Sequence, residues 1–438
     1  MKNGRGPIPR WFLVTLDPRI TFTAICLGMI ALSSVPPSLS TGTSAGDERI
    51  IDVLMIDRWL AQSVNFNRII EADPSISVLG VPMPGHHTLG WLQMEAGAMN
   101  RALRIYMPRN YQQLVEERDL VLLREAAAGS IEYPEIYFDA KWMAWFVRAV
   151  QEEGRSLSMW GGDASWGGRG EGSYTSWGDT ILDQILPFTS LRGYNPDRAA
   201  RHFPNFLDPK HPLHQLPWES AGPIELLNKV SPRQGATMVA TAVGQGNEYP
   251  WIGWWDSGEG IVLGETQVFD SAGAEGRMWR DWDWYQDFLI YLTYMSVGKP
   301  LPEDLLKAHR IREEISTHLF KSSMLISLLE FIERFGANTL ELYDMLEDLD
   351  DLQEVAKEHY RMDEYDAASE VFERIHDSWN EINVRAAEVK RSALIWVYAV
   401  EWSAVTGAGL VSGVFLWLLL TRRKYYREVE STRMSKRV

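Results

Sequence analysis

Apolar and polar positions change their pattern several times along this chain, and each pattern predicts a different kind of element. From Ala393 to Leu420 the chain is apolar except for Glu401, and it stops abruptly at Thr421-Arg422-Arg423-Lys424. Apolar runs of about 18 or more residues indicate a membrane-spanning helix. The uninterrupted part, Trp402 to Leu420, is about 28 Å long at 1.5 Å per residue, close to the ~30 Å of a hydrocarbon layer. Trp396, Tyr398, Trp402 and Trp417 suit its two interfaces, where amphipathic rings concentrate. A shorter apolar stretch, Ile20–Val35, follows Lys2, Arg5, Arg10 and Arg19 and leads to the small residues Thr43-Ser44-Ala45. That order is the pattern of an export signal, either a cleaved signal peptide or an uncleaved signal anchor over residues 1–45.

Between these segments, residues 46–300 show short apolar runs alternating with helical periodicity. Ile51–Ile56, Ile76–Val81, Ala102–Met107, Leu120–Leu123 and Ser156–Trp160 read as strands, and Tyr137–Glu153 holds a helix closed by Gly154. This alternation predicts parallel strands with crossover helices. Gly235–Val243, Trp251–Trp254 and Gly260–Gly264 read as later strands, parallel or antiparallel. The proline- and histidine-rich stretch 190–232 reads as a surface excursion with one short helix at Pro223–Asn228.

Past Pro302 the pattern becomes helical. Leu305, His309, Ile315, Leu319, Leu325, Leu328, Leu329 and Ile332 mark one amphipathic helix, broken at Gly336-Ala337-Asn338. Further helices begin near Leu340 and Asp363, with the acidic MLEDLDDLQE and HYRMDEYD stretches read as a turn region. Residues 301–392 therefore form a helical stalk or bundle, 393–421 a span and 422–438 a basic tail.

Charge adds direction. Arg422, Arg423, Lys424, Arg427, Arg433, Lys436 and Arg437 face only Glu428 and Glu430 in the tail, so the tail is expected on the cytoplasmic side and residues 46–392 outside it. The formal net charge of −16 argues against nucleic acid as a partner. The single cysteine, Cys26, lies in the first apolar stretch, which leaves the outer domain without a disulfide or a thiol nucleophile.

One group of segments carries a family likeness. Asp119–Ala126, Phe146–Gly168, Tyr174–Phe188, His211–Trp218 and Trp279–Lys299 together resemble the glutamine amidotransferase-like domain of membrane proteins. The resemblance covers about residues 50–300 and is most specific over 146–188. It implies a flavodoxin-like, mostly parallel sheet, and it carries no settled activity or partner. The catalytic pattern of true amidotransferases does not follow. Their chemistry needs a cysteine on a strand–helix turn beside a histidine base. Here Met159-Trp160-Gly161-Gly162-Asp163-Ala164 occupies that turn, and no histidine occurs between His214 and His309. No cofactor is implied.

The glycine- and tryptophan-rich stretch 160–179 is the candidate ligand loop, with Trp160, Gly161, Gly162, Asp163, Ser165, Trp166, Glu171 and Tyr174 its candidate residues. Ligands of open α/β sheets bind beyond the carboxyl ends of strands. The competing reading is a tight loop around packed tryptophans, and the glycines lack the dinucleotide or phosphate-loop spacing. His86, His87, His202, His211 and His214 lack tight metal-ligand spacing, so polar or structural roles are favoured and no metal is expected. In the span, Glu401 faces either the interfacial layer or a partner helix. Gly407, Gly409 and Gly413 give a small-residue face for close helix packing.

Taken together, these features describe a non-catalytic surface module for ligand sensing, envelope assembly or partner recruitment. Its candidate partners are the lipid bilayer, a second copy or another envelope protein, and a small-molecule or glycan ligand. The alternative is an exported hydrolase acting on a carbohydrate or amide through Asp163, Glu171 or a histidine.

Overall fold

The computed structural model describes residues 50–58, 69–83, 96–130, 138–162, 165–167, 174–196, 200–268 and 282–434. The first apolar stretch, His86, His87, Asp163, Glu171 and the last tail residues lie outside them.

An eight-stranded mixed sheet organises the α/β domain. Its strands are β1 (Ile51–Arg58), β2 (Ile76–Met83), β3 (Leu120–Arg124), β5 (Ser156–Trp160), β8 (Phe203–Phe206), β10 (Thr237–Gly244), β11 (Asn247–Ser257) and β12 (Gly260–Glu265). They lie in the order β2-β1-β3-β5-β12-β11-β10-β8. Pairing is parallel from β2 through β12, with Val53 opposite Leu120 and Leu157 opposite Val262, and antiparallel from β12 to β8. Two pairs stand apart: β4 (Gly129–Ser130) with β6 (Tyr174–Thr175), and β7 (Phe188–Asn195) with β9 (Leu227–Pro232).

The central strands are apolar on both faces because both faces are covered. Odd positions of β1 and even positions of β3 (Val53, Met55, Leu120, Leu122) join a core that includes helix α4 (Tyr285–Ser296). The alternate positions (Leu54, Ile56, Val121, Leu123) join a second core under α1 (Ala96–Tyr106) and α3 (Ala140–Glu153), with α2 (Tyr111–Glu117) alongside. Full burial of each such side chain contributes about 1.5–3 kcal/mol. The amphipathic α3 starts at Asp139, whose carboxylate accepts from Lys141 N at 2.9 Å, and turns Trp142, Phe146 and Val150 inward.

Helix α4 is apolar nearly all round, and it lies between the sheet and a three-helix bundle. That bundle comprises α5 (Leu305–Glu333), α6 (Leu340–Arg361) and the first part of α7 (Tyr365–Met434). Ile311, Ile315, Leu329, Leu346, Leu349, Phe372, Trp379 and Ile382 form its core. Helix α7 is continuous for 70 residues and runs from the bundle into the apolar stretch, where Trp402, Leu410, Phe415 and Leu419 are all exposed. Such an apolar cylinder is the membrane span. Helix α5 is also long and apolar enough to cross a membrane. Its buried Arg312 and His318 and its place in the bundle core assign it to the bundle instead.

Three local expectations differ. Ala102–Met107 is not a strand; residues 102–106 end α1, which turns Leu103 into the core and leaves Arg101 and Arg104 exposed. Pro223–Asn228 is not a helix: Ile224 bridges His202 and Leu227 opens β9. The acidic MLEDLDDLQE stretch lies inside α6 rather than in a turn, because Leu346 and Leu349 are core positions and the acids line the outer face.

Candidate functional site

Two polar constellations stand out in the described residues, one at the carboxyl ends of the parallel strands and one where the domain meets the bundle.

The first surrounds the Gly161-Gly162 turn after β5. Gly161 N donates to Glu265 Oε2 at 3.2 Å. Gly162 N donates to Asn228 Oδ1 at 2.9 Å, while Asn228 Nδ2 returns a bond to Gly162 O at 2.8 Å. Glu265, the last residue of β12, also accepts at Oε1 from Trp251 Nε1 and Gln267 N, each at 2.7 Å. Burial pushes its carboxyl up to about 8 against the pull of these donors, since desolvation disfavours the charged form. On the other side of the turn Glu125 is fully buried and left-handed, with φ of 51°. A methyl group on Gly162 would sit 2.5 Å from Glu125 Cγ, and one on Gly161 would meet the backbone of Gln267. Both glycines are therefore required for close packing by this protein's own chain. At the neighbouring strand ends, Arg124 Nη1 lies 3.4 Å from Asp57 Oδ1.

From Trp160 to Gly167 the candidate ligand loop is inside the molecule where it is described, whereas Thr175 and Asp179 farther along it are exposed. Trp160, Ser165 and Trp166 are fully buried. Trp166 Nε1 donates to Glu265 O at 2.9 Å, and Trp177 Nε1 to Ala126 O at 2.7 Å. These rings are core, anchored by their N–H groups, and offer no aromatic contact surface. Tyr174 lies in β6, paired with Ser130. The excursion histidines have structural roles: His211 stacks on Phe206, His214 meets the same ring edge-on, and His202 Nδ1 lies 3.1 Å from Ala200 O. Among the described residues no group of three or more His, Cys, Asp or Glu side chains is placed to hold a metal. In the span, Glu401, Gly409 and Gly413 are exposed. Gly409 and Gly413 line a shallow groove with Thr406, Leu410, Val414 and Trp417, from which Glu401 and Gly407 are absent.

The second constellation centres on Arg312 of α5, which is 3% exposed. Its guanidinium bonds Asp73 Oδ2 at 3.1 Å, Tyr360 Oη at 2.5 Å, Tyr291 Oη at 2.9 Å, and the Asp287 carboxylate. Asp73 further accepts from Tyr294 Oη at 2.9 Å, Tyr360 Oη at 2.6 Å and Ser75 N at 2.9 Å. Asp287 also meets His309 Nδ1 at 2.8 Å, and that ring stacks on Trp284. Burial lowers the His309 pKa, but the Asp287 hydrogen bond and the charges of Asp287 and Glu313 outweigh burial and Arg312, so it is raised. A polar cavity of about 240 Å³ opens beside this cluster, lined by Gln286, Asp287, His309, Arg312, Glu313 and the hydroxyls of Ser316 and Thr317.

Sequence reading singled out none of Glu125, Asn228, Glu265, Asp73, Asp287 or Arg312. A signal existed for two of them. Arg312 holds an inward position between Ala308 and Ile315, and Glu265 ends an otherwise apolar strand.

No family model and no curated protein matches the chain. Among solved structures, two cytoplasmic proteins from Salmonella typhimurium are similar at 15% identity. They cover 55% and 56% of this chain and 98% and 99% of their own, with TM-scores of 0.39 and 0.40. An exo-β-1,4-mannosidase from an Opitutaceae bacterium is similar at 12% identity, over 57% of this chain and 36% of its own, with a TM-score of 0.27.

Proposed function

We propose that this chain is a single-pass membrane protein whose amidotransferase-like α/β module, lacking the family's catalytic cysteine, works outside the cytoplasm as a recruitment or sensing module. The observation that carries this reading is mechanical. One unbroken 70-residue helix passes from the bundle into the span, and the α/β domain is fastened to that bundle through the buried Arg312 cluster. A domain held this way transmits position and load to the membrane rather than diffusing on a flexible tether. The strand order of the parallel part, 2-1-3-4-5 when counted along the chain, supports the flavodoxin-like expectation. The crowded Gly161-Gly162 turn supports a non-catalytic role, because a nucleophilic side chain has no room at either glycine. The basic tail supports an outside domain and an inside C-terminus.

Protease treatment of intact cells tests the topology. An epitope within 50–390 should be destroyed and one after 425 spared, and the reverse would overturn the reading. Cross-linking in intact membranes tests the role. A partner protein or a second copy should be captured through the α/β domain, and recovery of monomer alone counts against assembly. A hydrolase remains the second reading for one reason: Glu125 and Glu265 flank the turn at the carboxyl end of the sheet, and the Glu265 carboxyl holds its proton near neutral pH. Turnover of a glycoside or amide that is lost on Glu265→Gln would favour it.

A further inference from the structure

The polar cavity of about 240 Å³ beside the Arg312 cluster draws its walls from two helices. On α5, His309, Arg312, Glu313 and Ser316 follow the i, i+3, i+4, i+7 spacing of one helical face, with Thr317 beside them. The first turn of α4 supplies Gln286 and Asp287. Asp287 and Arg312 are buried, Gln286 and His309 are half-buried, and Glu313, Ser316 and Thr317 are exposed. The cavity therefore has a charged floor and an open polar rim. Its volume is below the ~300–1,000 Å³ of pockets for drug-sized ligands, so it suits a smaller molecule.

What the cavity leaves open to a ligand is rich in acceptors. Gln286 commits Nε2 to Ile69 O at 3.0 Å, and its side-chain carbonyl oxygen has no partner among the described residues. The hydroxyls of Ser316 and Thr317 make no hydrogen bond there either. Thr293, Ser296 and Ser327, on the same two helices, each bond the carbonyl four residues back. Glu313 meets His309 Nε2 at 3.4 Å and is otherwise open. The donors are engaged: the Arg312 guanidinium points into its own cluster, and His309 Nδ1 meets Asp287 at 2.8 Å. Charge points the same way. Asp73, Asp287 and Glu313 are three carboxylates around one guanidinium, and a proton on His309 still leaves an excess of negative charge. Burial lowers the His309 pKa, yet the Asp287 hydrogen bond and the Asp287 and Glu313 charges raise it overall, so the field here already draws in one cation.

We propose that this cavity binds a small primary amine as its ammonium ion, held by Glu313, the Gln286 carbonyl and the Ser316 and Thr317 hydroxyls. A primary ammonium carries three N–H donors and no acceptor, which complements this lining. An anion meets the excess of carboxylate, and a quaternary ammonium has no N–H to give. A bound amine joins α4, which packs on the sheet, to α5, the first helix of the bundle, and so tightens the junction that Arg312 secures. The inference concerns this cavity alone and holds whichever side of the membrane the α/β domain occupies.

Hydrogen exchange read by mass spectrometry tests it on the full chain in detergent, at fixed pH and ionic strength, with ethanolamine as the probe. Ethanolamine should slow exchange over residues 284–296 and 305–317 saturably, about tenfold at ten times its dissociation constant. Choline keeps the charge and hydroxyl without an N–H, and ethylene glycol keeps the hydroxyl without the charge; neither should slow exchange. Glu313→Gln should weaken the ethanolamine effect several-fold. Glu314→Gln removes the same charge one residue away, from a side chain that pairs with His376 of α7, and should retain the effect. Nα-acetyl-lysine amide, whose one ammonium is on its side chain, separates the two sources of such a group. Slowing by it as well supports a lysine of a partner protein, and slowing by ethanolamine alone supports a free amine. No slowing by either amine, equal slowing by choline or ethylene glycol, or an effect that survives Glu313→Gln unchanged would overturn the site.

Discussion

Replacing Arg312 with methionine removes the one guanidinium shared by Asp73 and Asp287, which are 0% and 1% exposed. Taking one partner from a buried ion pair typically costs ~3–5 kcal/mol, because an uncompensated charge remains. Here the lower end applies. Asp73 keeps its bonds from Ser75 N, Tyr294 Oη and Tyr360 Oη, and Asp287 keeps His309. A loss of about 3 kcal/mol corresponds to on the order of a 100-fold change in an opening equilibrium. Hydrogen exchange read by mass spectrometry on the full chain in detergent should show that loss in the amides of α4 and of residues 69–76, since these carry the two carboxylates. The triple change Asp73→Asn, Asp287→Asn, Arg312→Met should recover at least half of the lost protection, because no buried charge is then left without a counterion. A loss under ~1 kcal/mol for Arg312→Met, or a triple variant no better than the single, would refute the charge argument. The cluster would then be ordinary packing.

His309 makes the same junction pH-sensitive. Its folded pKa is raised above the ordinary 6.5 of a histidine, so its contribution is full below pH 6.5 and fades as pH rises through the folded pKa. Exchange at residues 284–296 should quicken above that point, and His309→Gln should abolish the dependence. Glu265 is a carboxyl with a folded pKa near 8 against an ordinary 4.5. Its contribution is therefore present below 4.5 and lost as pH rises through about 8. Urea titrations between pH 5 and 8.5 should show falling stability in the wild type and a flatter profile in Glu265→Gln. At low pH that variant should already be ~1–3 kcal/mol weaker, because its amide turns a donor toward one of the N–H groups that the carboxyl accepts. Gly161→Ala forces a methyl into the backbone of Thr266 and Gln267, 2.6 and 2.7 Å from their carbonyl carbons, and should cost about 1–3 kcal/mol or prevent folding. A midpoint equal to wild type would mean that the turn is not as tight as described.

The chain's own pattern was enough for whatever depends on contiguous residues. The span is legible because lipid imposes a length on one uninterrupted apolar segment, and the bundle helices because their inward positions recur every three or four residues. The central strands β1, β3 and β5 read as continuous apolar runs because both faces of the sheet are covered. Local pattern failed where a few residues fit two periods. Ala102–Met107 fits a strand until helix α1 is seen to begin at Ala96, and Pro223–Asn228 lost its helical reading to pairing with His202 and β7. The polar constellations were decided by tertiary structure alone. Asp73 lies 239 positions from Arg312 and Gly161 lies 104 from Glu265, and nothing local marks either as a partner. The same holds for the tryptophans of the glycine-rich loop. Composition gives the contact area they carry, and only the packing of β5, β7 and β12 turns that area inward. Hydrophobic period is a property of neighbours in sequence. Whether a buried carboxylate finds its counterion depends on which distant elements the fold brings together.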